Sequence, residues 1–256
     1  MAQRPNIHLL TSQTPNGVKI SITLEELGLP YKVTHINLGK HEQKEDWFTA
    51  INPNGRIPAL TDTFSDGRQI NLFESGSIQQ YLVDEYDTEG KISYPKGSRE
   101  YYETNNWLFF LNAGVGPMQG QSNHFTRYAP EQIPYGIKRY QDETKRLYGV
   151  LDKHLGSKDG SYLVGDKVTI ADIAHYGWID AASWAGVDVA EFPNLKKWLD
   201  TMDKRPAVVK GRDVPVPSEL RKAAKDPELM AKHAEQSKKW IHEGLKRDQE
   251  KKDSKA

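Results

Sequence analysis

Glu74-Ser75, in FESGSI (73–78), is a pair whose types and placement could hold a zwitterion. An apolar run, INLF (70–73), ends just before it, and a helical pattern begins just after. The free N–H groups and positive dipole end of a helix start suit a carboxylate, the serine hydroxyl adds a donor, and the glutamate can take an ammonium. Capping the helix is the usual role of a serine there, and the two uses are compatible. A second candidate lies in NPNGRIPAL (52–60). Proline lacks an N–H and restricts the residue before it to extended conformations, so Ile57-Pro58 at the head of a strand marks an edge, a bulge or a cis bond. One reading is a plain loop-to-strand junction with a trans proline. The other is a backbone shaped to offer the N–H and C=O of Ile57 to an extended peptide, as in strand addition. The chain has no cysteine. Disulfides, cysteine-rich metal sites and a protein-borne thiol nucleophile are therefore excluded, and any reacting sulfur must arrive with a ligand.

These residues need elements to place them. NIHLLTS (6–12) reads as a strand, TPNG (14–17) as a turn, and VKISITLEELGL (18–29) as a helix stopped at Gly28. YKVTHINL (31–38) alternates as a strand, and HEQKEDWFTAI (41–51) is expected to be a polar helix burying Trp47, Phe48 and Ile51. Strands at 59–63 and 70–73, joined through Ser65-Asp66-Gly67, lead into a helix over 74–86 that Ser75 could cap. The order is that of a small mixed sheet covered by helices. TEGKISYPKGS (88–98) reads as a connector. Beyond it strand signals nearly vanish, and helical segments are expected at 100–116, 131–155, 169–185 and 194–205. Gln119–Asn123 is read as a Gly-interrupted loop whose amides suit binding, Gln121 above all. Thr169 and Asp172 have capping-box spacing, with Val168 and Ile173 placed as a staple, and are assigned to folding. After residue 213 comes a charged tail, helical in composition over 225–247 and disordered in composition over 250–256. The predicted domains are thus 1–88, a linker at 89–98, an all-helical unit at 99–213 and the tail at 214–256.

Composition narrows the function classes. The 256 residues are 37% hydrophobic and 27% charged with zero formal net charge. Balanced charge gives no global argument for nucleic acid or an anionic membrane as partner. No apolar run approaches a membrane span, and no secretory leader is visible. The expectation is a soluble cytoplasmic protein without a metal.

Six stretches in order, TPNG, NLGKHEQ (37–43), NPNGRIPAL, FESGSI, GPMQGQSNHF (116–125) and IPYGIKRYQDETKRLYGVLDKHL (133–155), resemble the glutathione transferases, specifically the fungal nitrogen-regulator-like class and the bacterial nu class. The resemblance runs from residue 6 to about 212. It implies an α/β thioredoxin-like domain followed by an all-α domain, glutathione as co-substrate, and a homodimer in which NPNGRIPAL and ESGS face the partner's helices.

The resemblance also implies roles. Ile57-Pro58 becomes a cis bond that presents Ile57 to the cysteine backbone of glutathione. Glu74 and Ser75 become the γ-glutamyl site, while His41, Gln43 and Arg56 become candidates for the glycine carboxylate. The fungal branch uses the histidine and the bacterial branch the glutamine; both are present. Arg139 resembles an arginine that reaches a glutathione carboxylate in the nu class. Thr14 and Asn16 are placed near the sulfur, where a hydrogen bond to the thiolate favours the charged nucleophile; Thr11 and Ser12 are the alternatives. Trp107, Phe110, Met118, Gln121, His124, Phe125 and Tyr135 are candidates for a second-substrate pocket, several of them as packing alone. The implied reaction is reduction of a disulfide or peroxide, with weak conjugation of small electrophiles. The alternative is a glutathione-binding regulator or scaffold.

Overall fold

β1 (Ile7–Thr11) is buried along nearly its whole length because it is one of the two inner strands of a four-stranded sheet, order β2-β1-β3-β4. The computed structural model describes residues 5–157, 160–224 and 226–253. β2 (Tyr31–His35) runs parallel to β1, so a crossover must join them, and α1 (Gly17–Leu27) supplies it. β3 (Ala59–Thr63) and β4 (Gln69–Phe73) follow antiparallel, with Leu60 opposite both Leu9 and Leu72. α1 ends where Gly28 adopts a left-handed conformation, as its spacing predicts.

The stretch read as one helix over 41–51 is a single 3-10 turn (42–44) and a four-residue helix, α2 (Asp46–Thr49), and another 3-10 turn (38–40) precedes it, after β2 has ended at His35. His41 breaks it by taking positive φ between the turns. Phe48 is buried as expected, beside Leu10, Ile36 and Ala59. Trp47 is not: it is 46% exposed, with its indole donating to Glu45. A four-residue helix has one inward position, and Phe48 takes it.

α3 (Ser75–Tyr86) closes the first domain. The 88–98 connector is docked, with Asp87 accepting from Lys91, Ile92 and Ser93, and Ile92 buried. The second domain is helical: α4 (Arg99–Phe110), α5 (Gly116–Asn123), α6 (Pro134–Gly156), α7 (Ile170–Asp180), α8 (Pro193–Asp203) and α9 (Pro206–Gly211). Residues 119–123, read as a loop, lie in α5, which π-helical turns at 111–115 and 124–128 join to a continuous helical run. Such π turns recur at functional sites. Gly116 and Gly120 pack against Trp178, whose ring stands 3.5–3.6 Å from where their β-carbons would be, an ordinary contact that does not interrupt the helix.

α1 is buried on both sides, since the sheet lies on one and α7 and α9 on the other. Its polar residues therefore face a seam between domains. Ser21 donates to the Gly211 carbonyl (2.7 Å), and Gln79 of α3 donates to Thr23 (3.1 Å). Arg205 holds Glu26 with two bonds of 2.6 and 2.8 Å. One apolar core, from Ile7 and Leu9 through Leu111, Tyr148 and Trp198, runs through both domains. Asp172 anchors the helical half: it accepts from Thr169, Leu163 and Trp198 at 2.8–3.0 Å, and burial pushes its carboxyl up against those bonds.

The tail continues as α10 (Leu220–Ala223) and α11 (Pro227–Asp253). Arg221 fastens it to Asp180, Asp203 and Tyr176. The disorder expected over 250–256 does not begin at 250, because α11 runs to Asp253; residues 254–256 lie outside the described residues. No described helix is long and apolar enough to cross a membrane.

Candidate functional site

The Thr14–Gly17 turn is pinned from both sides. A β-carbon on Gly17 would stand 2.2 Å from the Ser12 carbonyl, so the chain can fold this tightly only with glycine there. Thr14 caps the helix, its hydroxyl oxygen accepting from the Gly17 N–H at 3.1 Å. From the other domain, α7 lays Gly177 against Pro15, where a β-carbon would meet the carbonyl at 2.5 Å. One residue on, Trp178 donates its indole N–H to the Asn16 Oδ1 at 3.0 Å. An indole nitrogen only donates, so the contact decides which way the amide points. The oxygen is consumed, and the two Nδ2 hydrogens remain for an acceptor. Trp178 was not among the sequence candidates; in the sequence it is one aromatic of a buried helix. Ser12 and Thr11 are buried, with Ser12 3.4 Å from the His35 ring and Thr11 turned to the Ser12 carbonyl.

Ile57-Pro58 is cis. Asn52 shapes the loop before it, accepting from Asn54 and donating to the Arg56 carbonyl, with Gly55 at positive φ. Among the described residues neither main-chain group of Ile57 has a hydrogen-bond partner, so both are available to a peptide. Arg56 is exposed.

Ser75 does not cap α3. It is the first helical residue, and Glu74 occupies the cap position at φ 66°, ψ 113° without a side-chain bond. A non-glycine residue in that region stores strain that surrounding structure must hold. The exposed Glu74 side chain leaves the first N–H groups of α3 uncapped. Beneath Ser75 lies a residue absent from the sequence candidates: Lys19 of α1, 2% exposed, donates to the Ser75 hydroxyl at 3.2 Å. Burial lowers its pKa to about 7, opposed by Glu74. Its signal in the sequence was a lysine inside an otherwise buried helix face.

His41 and Gln43 are both buried, in the paired 3-10 turns. Gly55 brings the 52–56 loop against them, its β-carbon position 3.0 Å from the Gln43 carbonyl. α11 lies over this corner: a β-carbon on Gly244 would stand 2.9 Å from the His41 ring. Farther along, His242 bonds the Tyr128 carbonyl at 2.8 Å. The tail thus bridges the His41 turn and the 124–128 turn.

The pocket candidates divide. Trp107 packs on His154 at 4.3 Å between centroids and Met118 on the common core. Phe125 stacks on Tyr140, and Phe110 faces the buried His175. His124 is half-buried beside Phe125 and Tyr128, beneath the part of the molecule that α11 crosses. Gln121 and Tyr135 are exposed; the buried amide of the run is Gln119, which holds the Trp178 carbonyl and the Tyr148 hydroxyl at 2.7 Å each. Arg139 is exposed on α6, near Glu143, and makes no described contact with Asn16, Ile57 or Glu74. No group of His, Asp and Glu able to hold a metal occurs among the described residues.

Comparison with known proteins identifies the family. Residues 15–85 match the model of the glutathione S-transferase N-terminal domain, and residues 135–206 that of the C-terminal domain. The disulfide-bond oxidoreductase YfcG of Escherichia coli is 42% identical over 203 residues, covering 78% of this chain and 92% of its own. The transcriptional regulator URE2 of Saccharomyces cerevisiae is 34% identical over 231 residues, covering 77% and 64%. A glutathione transferase homologue from Lodderomyces elongisporus, solved with two glutathione molecules per subunit, is 50% identical, with TM-score 0.79 over 82% of this chain and 99% of its own.

Proposed function

The chain belongs to the glutathione S-transferase family, and from that premise we propose that it uses the thiolate of bound glutathione to reduce small disulfides or peroxides, with weak conjugation of electrophiles. The carrying observation is the Asn16 amide, whose oxygen is taken by the donor-only Trp178. Its N–H groups remain to donate to the sulfur of bound glutathione, which would stabilise a thiolate over a thiol. The free main-chain groups of Ile57 would pair the cysteine backbone, Ser75 and the head of α3 the γ-glutamyl carboxylate, and Glu74 its ammonium. Arg56 with Gln43 or His41 would meet the glycine carboxylate.

Two glutathione molecules and one disulfide give oxidised glutathione and two thiols, so a cysteine-free chain needs no sulfur of its own. The homologue with two glutathione molecules per subunit supports a site that admits both. Exposed Tyr102 and Phe109, seven residues apart on α4, support a homodimer through that helix.

The test compares glutathione-dependent reduction of bis(2-hydroxyethyl) disulfide with conjugation of 1-chloro-2,4-dinitrobenzene, on protein whose sedimentation is expected to give twice the chain mass. Reduction should exceed conjugation by at least about tenfold in kcat/KM, roughly 1.4 kcal/mol in transition-state stabilisation. Retention on immobilised glutathione with neither activity would favour the second reading, a glutathione-binding regulator, which the URE2 relationship supports.

A further inference from the structure

Lys19 is the residue that the proposed chemistry leaves unexplained. A lysine this buried normally needs a paired charge, because removing an ammonium from water is costly. Here the Nζ has one hydrogen bond, to Ser75 at 3.2 Å. The charged and titratable groups that face it are Glu74, at the head of α3, and His175, from α7. His175 is fully buried with its Nδ1 on the Ala171 carbonyl and its Nε2 unpartnered, and burial lowers its pKa to about 4, so it stays neutral. α9 and the residue before it bring Arg205 and Lys210 to α1, but both are held by Glu26 and Glu25 near its other end. The sheet presents the apolar Ile7 and Leu9 to the core that α1 joins.

We propose that Lys19 positions the γ-glutamyl carboxylate of glutathione: its ammonium fixes the Ser75 hydroxyl as an outward donor and supplies the positive charge behind it. This rests on reading the head of α3 as the γ-glutamyl site. A hydroxyl has one hydrogen, and an ammonium can only donate. With Lys19 charged, Ser75 must accept from it and turn its own hydrogen toward the ligand. With Lys19 neutral, the amine can accept that hydrogen and turn it inward. The carboxylate and the proton on Lys19 therefore favour each other, and binding near neutral pH takes up a proton.

S-methylglutathione isolates this, since it has no thiol to ionise. Calorimetric titrations at pH 8 in phosphate and in Tris should show wild-type protein taking up about half a proton or more per ligand bound. Lys19→Met should take up none and bind at least tenfold more weakly. The analogue with γ-aminobutyrate in place of γ-glutamate should bind wild-type protein without uptake. A measurement without any variant uses lysine labelled at Cε with ¹³C: one resonance should titrate near pH 7 in free protein and above pH 9 in the complex. Equal uptake in wild type and Lys19→Met, or lysine resonances all titrating near pH 10, overturns the role of Lys19 while leaving glutathione binding intact. No binding by wild-type protein overturns the glutathione reading itself, and this inference with it.

Discussion

The two ends of the candidate glutathione site are held in contrasting ways. At the γ-glutamyl end, Ser75 and Lys19 are buried where α1, α3 and α7 meet, and the hydrogen bond between them belongs to the seam of the fold. At the glycine end, His41 lies between two single 3-10 turns and Gln43 in the second of them, Arg56 is exposed, and α11 lies across the top. Close packing fixes the first end, because nothing there moves without unpacking the core. The second is held by a helix whose removal leaves that core untouched, so it belongs to the less stable part of the molecule. Under the proposed function, recognition of glutathione falls to the buried end, and α11 lies over the other.

The strongest test is at the thiol turn between the ends. Asn16→Ala is expected to lower kcat by about 10- to 100-fold, the scale for losing one aimed donor, with the glutathione Kd within about threefold. Trp178→Phe keeps an aromatic ring but frees the amide to flip, and should lose roughly three- to tenfold in kcat. Loss of affinity with kcat preserved would make Asn16 a binding residue and shift recognition away from the buried end. Next in size is removal of α11 by ending the chain after Ala224. Turnover of the disulfide should rise about two- to fivefold, with the melting temperature lowered by only a few degrees. A tenfold loss of activity would show that α11 forms the site rather than covering it. The smallest effect is at Arg56. Arg56→Ala should raise the KM for glutathione about two- to fivefold at low salt, and the difference should fade by about 0.5 M salt, where exposed charges are screened. A salt-independent loss would place Arg56 in a buried contact and blur the contrast.

Much of this was legible from residue types and spacing. The elements on either side of Ile57-Pro58, the helix ending at Gly28 and the capping pair Thr169–Asp172 follow from local preferences, which a short stretch carries within itself. The differences have separate causes. Trp47 is exposed because a four-residue helix has one inward position, the helix after β4 starts one residue early so that Glu74 takes the cap position Ser75 could have filled, and residues 119–123 lie in a helix rather than a loop. Gly120 signals a loop in the sequence, yet it lies inside α5 and packs against Trp178, 58 positions along the chain.

The sequence by itself determined that no protein thiol can take part, that an α/β unit precedes a helical one, and that Glu74-Ser75 opens a helix after a strand. These are matters of composition and period. The tertiary structure alone decided that Trp178 orients Asn16, that Lys19 stands behind Ser75, and that α11 covers His41. Each joins groups 56 to 203 residues apart in sequence, and a hydrogen bond or contact at that separation leaves no periodicity to read.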